Sequence, residues 1–180
     1  MNRLKGVARL LGRVGVLGAA LAVTLPAYAQ TPPALAQLQA RAEIEDLLMN
    51  YYAGFGADES HFGDFYLDDG VLDVNGDVAQ GQKAIADLYR RLATGSPPRK
   101  GVFRMLLSNL RIKVQGDTAT AEMIWTGVLN TDLHVAPQFA EQGREHDDLV
   151  HHNGHWLFKH RVITADSGMP AMFDKTYKKR

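Results

Sequence analysis

Residues 143–163, GREHDDLVHHNGHWLFKHRVI, predict two β-strands joined at Asn153-Gly154. Asn-Gly is a strong signal for a two-residue type I′ turn, because both central residues of that turn need a positive φ. A two-residue turn fixes the register of the hairpin. The resulting pairs are His152 with His155, His151 with Trp156, Leu149 with Phe158, and Asp147 with His160.

The inward face of this predicted hairpin combines apolar and ionisable side chains. Side chains alternate across a strand, so the inward apolar residues are Leu149, Trp156, Phe158 and Val162. Asp147 lies opposite His160 on the same face, with Glu145 one step further. A carboxylate beside an imidazole on an apolar wall suits general acid/base chemistry, so Asp147 and His160 are predicted to be catalytic. The alternative is a buried, salt-bridged pair that only joins the strands.

The outward face is predicted to be solvated, with Asp148 opposite Lys159 and His146 opposite Arg161. It also carries three apolar residues, Val150, Leu157 and Ile163. A partly apolar outer surface favours contact with a second copy of the chain. We therefore expect a homo-oligomer, either a dimer or a trimer.

Residues 1–29 have the pattern of a secretory signal peptide. They combine a basic start, an apolar run at 14–25 and small residues at Ala27 and Ala29, the order that signal peptidases recognise. The apolar run is short for a bilayer span; a retained anchor is the alternative. We expect a mature chain that begins at Gln30 and is periplasmic or secreted.

Charge and composition narrow the classes of partner. The chain has 20 basic and 20 acidic residues, and loss of residues 1–29 removes four basic ones, which leaves a net charge of −4. This charge argues against nucleic acid, and against a membrane surface after signal cleavage. The chain has no cysteine, so disulfides and thiol chemistry are excluded.

Helical patterns come first in the chain and strand patterns follow. The predicted elements are helices at about 34–54, 61–67 and 81–93, a hairpin turn at Asn75-Gly76, a long hairpin over 103–114 and 118–131, and the hairpin at 143–163. Such an order predicts an α+β fold, with helices covering one face of a curved antiparallel sheet. Residues 30–165 form this domain. Residues 166–180 are a tail that either covers a pocket mouth or is a frayed terminus.

Five segments, in this order and spacing, resemble the SnoaL-like branch of the nuclear transport factor 2-like superfamily. They are AEIEDLLMNYY, FYLDDGVLDVNG, GQKAIADLY, LLSNLRIKVQGDTATAEMIW and GREHDDLVHHNGHWLFKHRVI, and they cover most of residues 41–163. The resemblance implies a cone-shaped α+β barrel, closed by N-terminal helices around a deep, mainly apolar pocket. It also implies acid/base chemistry on small cyclic molecules without a cofactor, as in scytalone dehydratase and hexachlorocyclohexane dehydrochlorinase. Other members are non-catalytic.

The chain departs from those two enzymes at their acid/base pair. The positions that resemble the family Asp and His are Gly56 and Met105, whereas the family Asn is retained as Asn109. Asp58 is near the first position but two residues away. Acid/base chemistry must then come from other walls of the pocket, for which the Asp-His pair of the hairpin is the candidate.

Further site residues are predicted on the first helix and the remaining strands. Tyr51 and Tyr52 are either core aromatics or hydroxyls that stabilise negative charge on a substrate. Simple alternation places Arg104 in the pocket, where it would bind an acidic group, whereas the resemblance places position 105 there through a β-bulge. The other predicted substrate-binding residues are Asn109, Trp125, Phe55, Trp156 and Phe158.

The histidines raise the question of a metal site, which needs three or four converging ligands. In the predicted register His146 and His160 face opposite sides, and His152 and His155 lie at an exposed turn. We therefore expect no functional metal and no cofactor. The sequence favours an exported, cofactor-free lyase or isomerase that uses elimination or retro-aldol chemistry on a small apolar, aromatic or cyclic substrate. The alternatives are a non-catalytic periplasmic binding protein and a partner-docking domain.

The signal-peptide prediction can be checked directly by mass. Protein recovered from the periplasm should have the intact mass of a chain that begins at Gln30, because signal peptidase removes the preceding segment. Full-length protein found in the membrane fraction would contradict this prediction.

Overall fold

A computed structural model describes residues 33–55, 59–95 and 100–178 of the chain. The predicted signal peptide lies outside these residues, as do Gly56 and Asp58. Within the described residues, no helix is long and apolar enough to span a membrane.

Two helices and six strands make up most of the described structure. In chain order they are α1 (Pro33–Ala53), a 3₁₀ helix (Glu59–Phe65), β1 (Tyr66–Val74), β2 (Asp77–Gln80), α2 (Gln82–Gly95), β3 (Val102–Gln115), β4 (Thr118–Asn130), β5 (Gln138–His152), β6 (His155–Ser167) and a 3₁₀ turn (Ala171–Phe173). The predicted order of elements, and with it the α+β class, is confirmed.

The six strands form one curved sheet in the order β2-β1-β6-β5-β4-β3. Four of the five strand pairs are antiparallel, but β1 and β6 run parallel. The prediction of a wholly antiparallel sheet is therefore wrong at this one junction. β6 is the last strand of the meander formed by β3, β4, β5 and β6, and it runs beside β1 in the same direction.

The predicted hairpin turns are confirmed by their backbone angles. Asn153 and Gly154 have φ of 50° and 84°, and Asn75 and Gly76 have φ of 55° and 85°. Positive φ at both central residues is the type I′ geometry that matches the right-handed twist of the flanking strands.

The register of the C-terminal hairpin changes partway along its length. Leu149 pairs with Phe158 as predicted, but Asp148 pairs with His160, so β6 has one extra residue, Lys159, that no β5 residue opposes. This is a β-bulge, and it reverses the face of every later β6 side chain relative to strict alternation.

The bulge changes which residues face the core. Asp147 pairs with Arg161 instead of His160, and the predicted pair is wrong for that reason. Ile163 is buried, whereas it was predicted to face outward, and Val162 faces the other way. On the outer face Val162 therefore takes the place of Ile163, and self-association stays a prediction.

The core lies between the helices and the inner face of the sheet. α1 contributes Ile44, Leu48 and Tyr51, and α2 contributes Ile85 and Leu88; all five are fully buried. Burial of such side chains stabilises the fold by about 1.5–3 kcal/mol each.

Gly143 permits a close contact between β4 and β5. It pairs with Trp125, and a Cβ added to Gly143 would lie 2.3 Å from the Thr164 carbonyl oxygen and 2.3 Å from Cζ2 of Trp125. The indole therefore lies over the glycine, in space that any larger residue would occupy. Trp125 in turn is buried, with 6% of its surface exposed.

We expect Gly143→Ala to lower the free energy of unfolding by about 1–3 kcal/mol, because the new methyl group overpacks the site. Gly95→Ala is the control, since its Cβ would meet only Met172 Sδ at 3.5 Å, and it should change stability by less than about 1 kcal/mol. Urea unfolding measures both. Equal stability of the two variants would contradict the packing argument.

Candidate functional site

A cavity of about 540 Å³ opens between the helices and the inner face of the sheet. Its walls come from α1 and α2, from β1, β3, β4, β5 and β6, and from the segment after β6. The apolar wall residues are Phe55, Val74, Leu92, Ala93, Val102, Phe103, Met105, Trp125, Ile163, Ala165, Met169, Pro170 and Phe173. The cavity is thus a mainly apolar site of the size that small molecules fill.

Five polar side chains also line the cavity: Tyr52, Asn75 and Tyr89 from the interior, the half-buried Glu141 and the exposed Arg104. The side-chain oxygen of Asn75 accepts a hydrogen bond from the backbone N–H of Ala165 at 2.8 Å. Tyr89 shares a hydrogen bond with the hydroxyl of Tyr51. Tyr52 differs, because its hydroxyl donates to the carboxylate of Glu145, and so it links the cavity wall to an ionisable group behind it.

Behind this wall lies a buried charged cluster of Arg161, Glu145 and Asp147, whose side chains have no solvent exposure. Arg161 Nη2 donates to Glu145 Oε1, and Arg161 Nε lies 3.4 Å from Asp147 Oδ1. The guanidinium also stacks on aromatic rings, with its carbon 3.9 Å from the centre of the Tyr51 ring. One cation therefore faces two carboxylates in a dry environment.

Burial governs the protonation of this cluster. It raises the pKa of Asp147 well above the ordinary value; the Arg161 charge opposes that shift, and Glu145 adds to it. For Arg161, burial lowers the pKa, but Asp147 and Glu145 outweigh it and the net pKa is raised. Burial, and then the charge of Glu145, raise the pKa of Tyr52. Asp147 therefore keeps its proton to a higher pH than an exposed aspartate does.

The predicted Asp147-His160 pair is not formed. His160 lies on the outer face, where its Nδ1 is 3.7 Å from Asp148 Oδ2 and its side chain is 43% exposed. Asp147 is fully buried on the inner face with Arg161. The bulge at Lys159 separates the two predicted partners, so His160 cannot serve as a base in the cavity.

This chain matches the model of one protein family over most of its length. A family model described as a SnoaL-like domain matches residues 36–162. The chain belongs to the SnoaL-like domain family. No curated protein matches it by sequence.

Solved structures with the same fold include three from bacteria. A variant of Rv3472, a Mycobacterium tuberculosis protein of unknown function, has a TM-score of 0.63 and 22% identity over 75% of this chain and 76% of that one. A nuclear transport factor 2-like protein with a cystatin-like fold from Novosphingobium aromaticivorans has values of 0.60 and 21% over 81% and 94%. A proposed scytalone dehydratase from the same bacterium has values of 0.61 and 16% over 82% and 93%.

Some predicted site residues of this SnoaL-like domain line the cavity and others do not. Tyr52, Phe55 and Trp125 line it, and Met105 does so as the resemblance implied. Arg104 belongs to the rim and is exposed. The remaining predicted residues lie elsewhere: Tyr51, Trp156 and Phe158 in the buried core, and Asn109 on the surface at a bulge of β3. Among the described residues, no group of three metal-binding side chains converges.

Sequence reasoning missed Glu145 and Arg161 as parts of the site. Glu145 was placed correctly on the inner face but was given no partner, and Arg161 was placed on the outer face. Two inward acids two residues apart on one strand need a buried cation. That requirement was a signal for an inward arginine on the paired strand.

The raised pKa of Asp147 predicts a pH-dependent stability. The native state keeps this proton at pH values where the unfolded chain, with an ordinary pKa of 3.8, has lost it. Raising the pH above that value therefore favours unfolding through this group, until the folded-state pKa is reached. Asp147→Asn cannot ionise, so the stability of wild type relative to this variant should fall as the pH rises, by at most about 1.4 kcal/mol per pH unit. Urea unfolding of both proteins between about pH 4 and pH 7 measures this change. A wild type that gains stability relative to Asp147→Asn as the pH rises would contradict the prediction.

Proposed function

We propose that this protein is a lyase or isomerase that uses side-chain acid/base chemistry on a small, largely apolar, cyclic molecule. The observation that carries the proposal is Tyr52, which lines the apolar cavity while its hydroxyl donates to buried Glu145. The SnoaL-like family membership supports it.

The shape and lining of the cavity favour a small cyclic ligand. Pockets for small molecules usually measure about 300–1,000 Å³ and combine apolar walls with a few polar groups. Aromatic rings of Phe55, Phe103 and Trp125 and the flexible side chains of Met105 and Met169 form most of this wall. Such a surface packs against flat rings and adapts to their outline.

The position of Tyr52 favours acid/base chemistry over simple binding. Asn75 and Tyr89 also line the cavity, but their hydrogen bonds are used inside the protein. Tyr52 is the cavity residue that contacts a buried carboxylate. A proton acceptor shielded from water and reached through one hydroxyl is a setting for proton abstraction from an apolar substrate.

A non-catalytic binding protein is the second candidate, and one observation favours it. Met105 lies in the cavity wall at the position that resembles the histidine of the related enzymes. A thioether neither accepts nor donates a proton at ordinary pH. The wall of β3 therefore offers shape and polarizability but no imidazole.

Blocking the cavity tests whether it is the ligand site. Met105→Trp should weaken the binding of 2-naphthol, a flat hydroxylated probe, by about tenfold or more, because the indole occupies the cavity. Leu106→Trp is the matched control, since Leu106 is the next residue on β3 and points outward with 52% exposure. Isothermal titration calorimetry gives both dissociation constants.

Three results would count against this site. Wild-type protein that does not bind 2-naphthol would contradict the proposed ligand class. Equal affinities of the two tryptophan variants would place the ligand elsewhere. Weaker binding by Leu106→Trp alone would move it to the outer face.

A further inference from the structure

We propose that Glu145 is the proton acceptor of this site and that Tyr52 relays the proton to it from a molecule in the cavity. This inference rests on the proposed function, since it names the residues that would perform the acid/base step. It replaces the histidine base that the sequence predicted with a carboxylate behind the cavity wall.

The hydrogen bonds around Glu145 favour this role. Arg161 Nη2 donates to Oε1, and the Tyr52 hydroxyl donates to the other oxygen, Oε2. Arg161 therefore holds one oxygen, and Oε2 receives its hydrogen bond from the residue that also lines the cavity. Because the Tyr52 hydroxyl uses its proton for Glu145, its oxygen offers a lone pair to a neighbouring group.

The proton transfer can be written with its atoms balanced. A C–H or O–H bond of the substrate breaks, and its proton passes to the phenolic oxygen of Tyr52. The original hydroxyl proton of Tyr52 moves to Glu145 Oε2. The electron pair stays on the substrate as an enolate or alkoxide, or it expels a leaving group. Return of the proton from Glu145 through Tyr52 to another carbon completes an isomerisation.

Arg161 stabilises the charge that this step creates. Its guanidinium carbon lies 5.3 Å from the centre of the Tyr52 ring, and it stays positive when Glu145 takes up the proton. The negative charge then lies on the substrate beside Tyr52. A fixed cation this close to the Tyr52 ring favours the charge, because little solvent screens it.

The second carboxylate makes the proposal testable without loss of the fold. Glu145→Gln leaves Arg161 with Asp147, whose Oδ1 is 3.4 Å from Nε. Asp147→Asn leaves Arg161 with Glu145. Each variant changes one buried acid to its amide on the same strand and keeps the other acid beside the arginine. Only the first removes the acceptor of the Tyr52 proton.

The experiment follows exchange of the α-protons of 2-tetralone in deuterium oxide by NMR. 2-Tetralone is a cyclic ketone whose enol resembles 2-naphthol, so binding and proton transfer are measured on related probes. We expect wild-type protein to accelerate exchange, and Glu145→Gln and Tyr52→Phe to reduce the acceleration by about 100-fold or more. Asp147→Asn should keep at least about a third of it. A pH profile should show that the loss in Glu145→Gln persists at every pH.

A structural role for Glu145 would give a different result. If the cluster only supports the fold, Glu145→Gln and Asp147→Asn should lose exchange to the same degree, and this outcome overturns the relay. Glu145→Asp serves if Glu145→Gln does not fold: it keeps the charge but shortens the reach to Tyr52, and it should lower exchange while 2-naphthol still binds.

The test also separates this inference from the proposed function. Binding of both probes by wild type without accelerated exchange overturns the relay and leaves a binding protein. Failure to bind either probe overturns the proposed function, and the relay with it.

Discussion

The burial of one guanidinium constrains the whole domain. Arg161 has no solvent exposure, and removing such a charge from water costs several kcal/mol unless partners surround it. Those partners come from different elements: the carboxylates of Glu145 and Asp147 from β5, and the ring of Tyr51 from α1. The arginine therefore fixes the first helix against the last two strands. The cavity wall at Tyr52 depends on that alignment, since its hydroxyl is bound to the same cluster.

Local signals predicted the elements and turns but not the register beyond Phe158. The Asn-Gly turn is encoded by two adjacent residues, and its positive φ angles follow from their chemistry alone. The bulge at Lys159 has no such signal, because Lys159 and His160 are both polar and either could face solvent. It is decided by long-range contacts: the two acids of β5 favour an inward Arg161, and β6 also pairs with β1. The alternation of residue types along β6 does not show how its two neighbours, β5 and β1, together set its register.

A second bulge explains why the resemblance placed Met105 correctly when alternation did not. β3 changes register between Ser108 and Arg111, and Asn109 has a φ of 55° there. Asparagine tolerates this left-handed conformation better than most residues. The asparagine shared with the related enzymes therefore has a backbone role in this chain: it forms the bulge that turns Met105 toward the cavity. That role does not depend on an acid/base pair, which is consistent with the asparagine being present without one.

The chemistry that Tyr52 can offer a ligand follows from its single proton. A phenol has one O–H to donate, and Glu145 receives it, so what remains for a ligand is an acceptor. Burial and Glu145 both raise the pKa of Tyr52, so this residue does not supply a phenolate on its own. At Tyr52 the proposed site thus favours a ligand that can give a proton, such as an alcohol, an enol or a ketone with acidic C–H bonds, over one that only accepts. The raised pKa of Tyr52 also fits the proposed relay, because a phenol that stays protonated gives its proton to Glu145 only as it takes up another from the ligand.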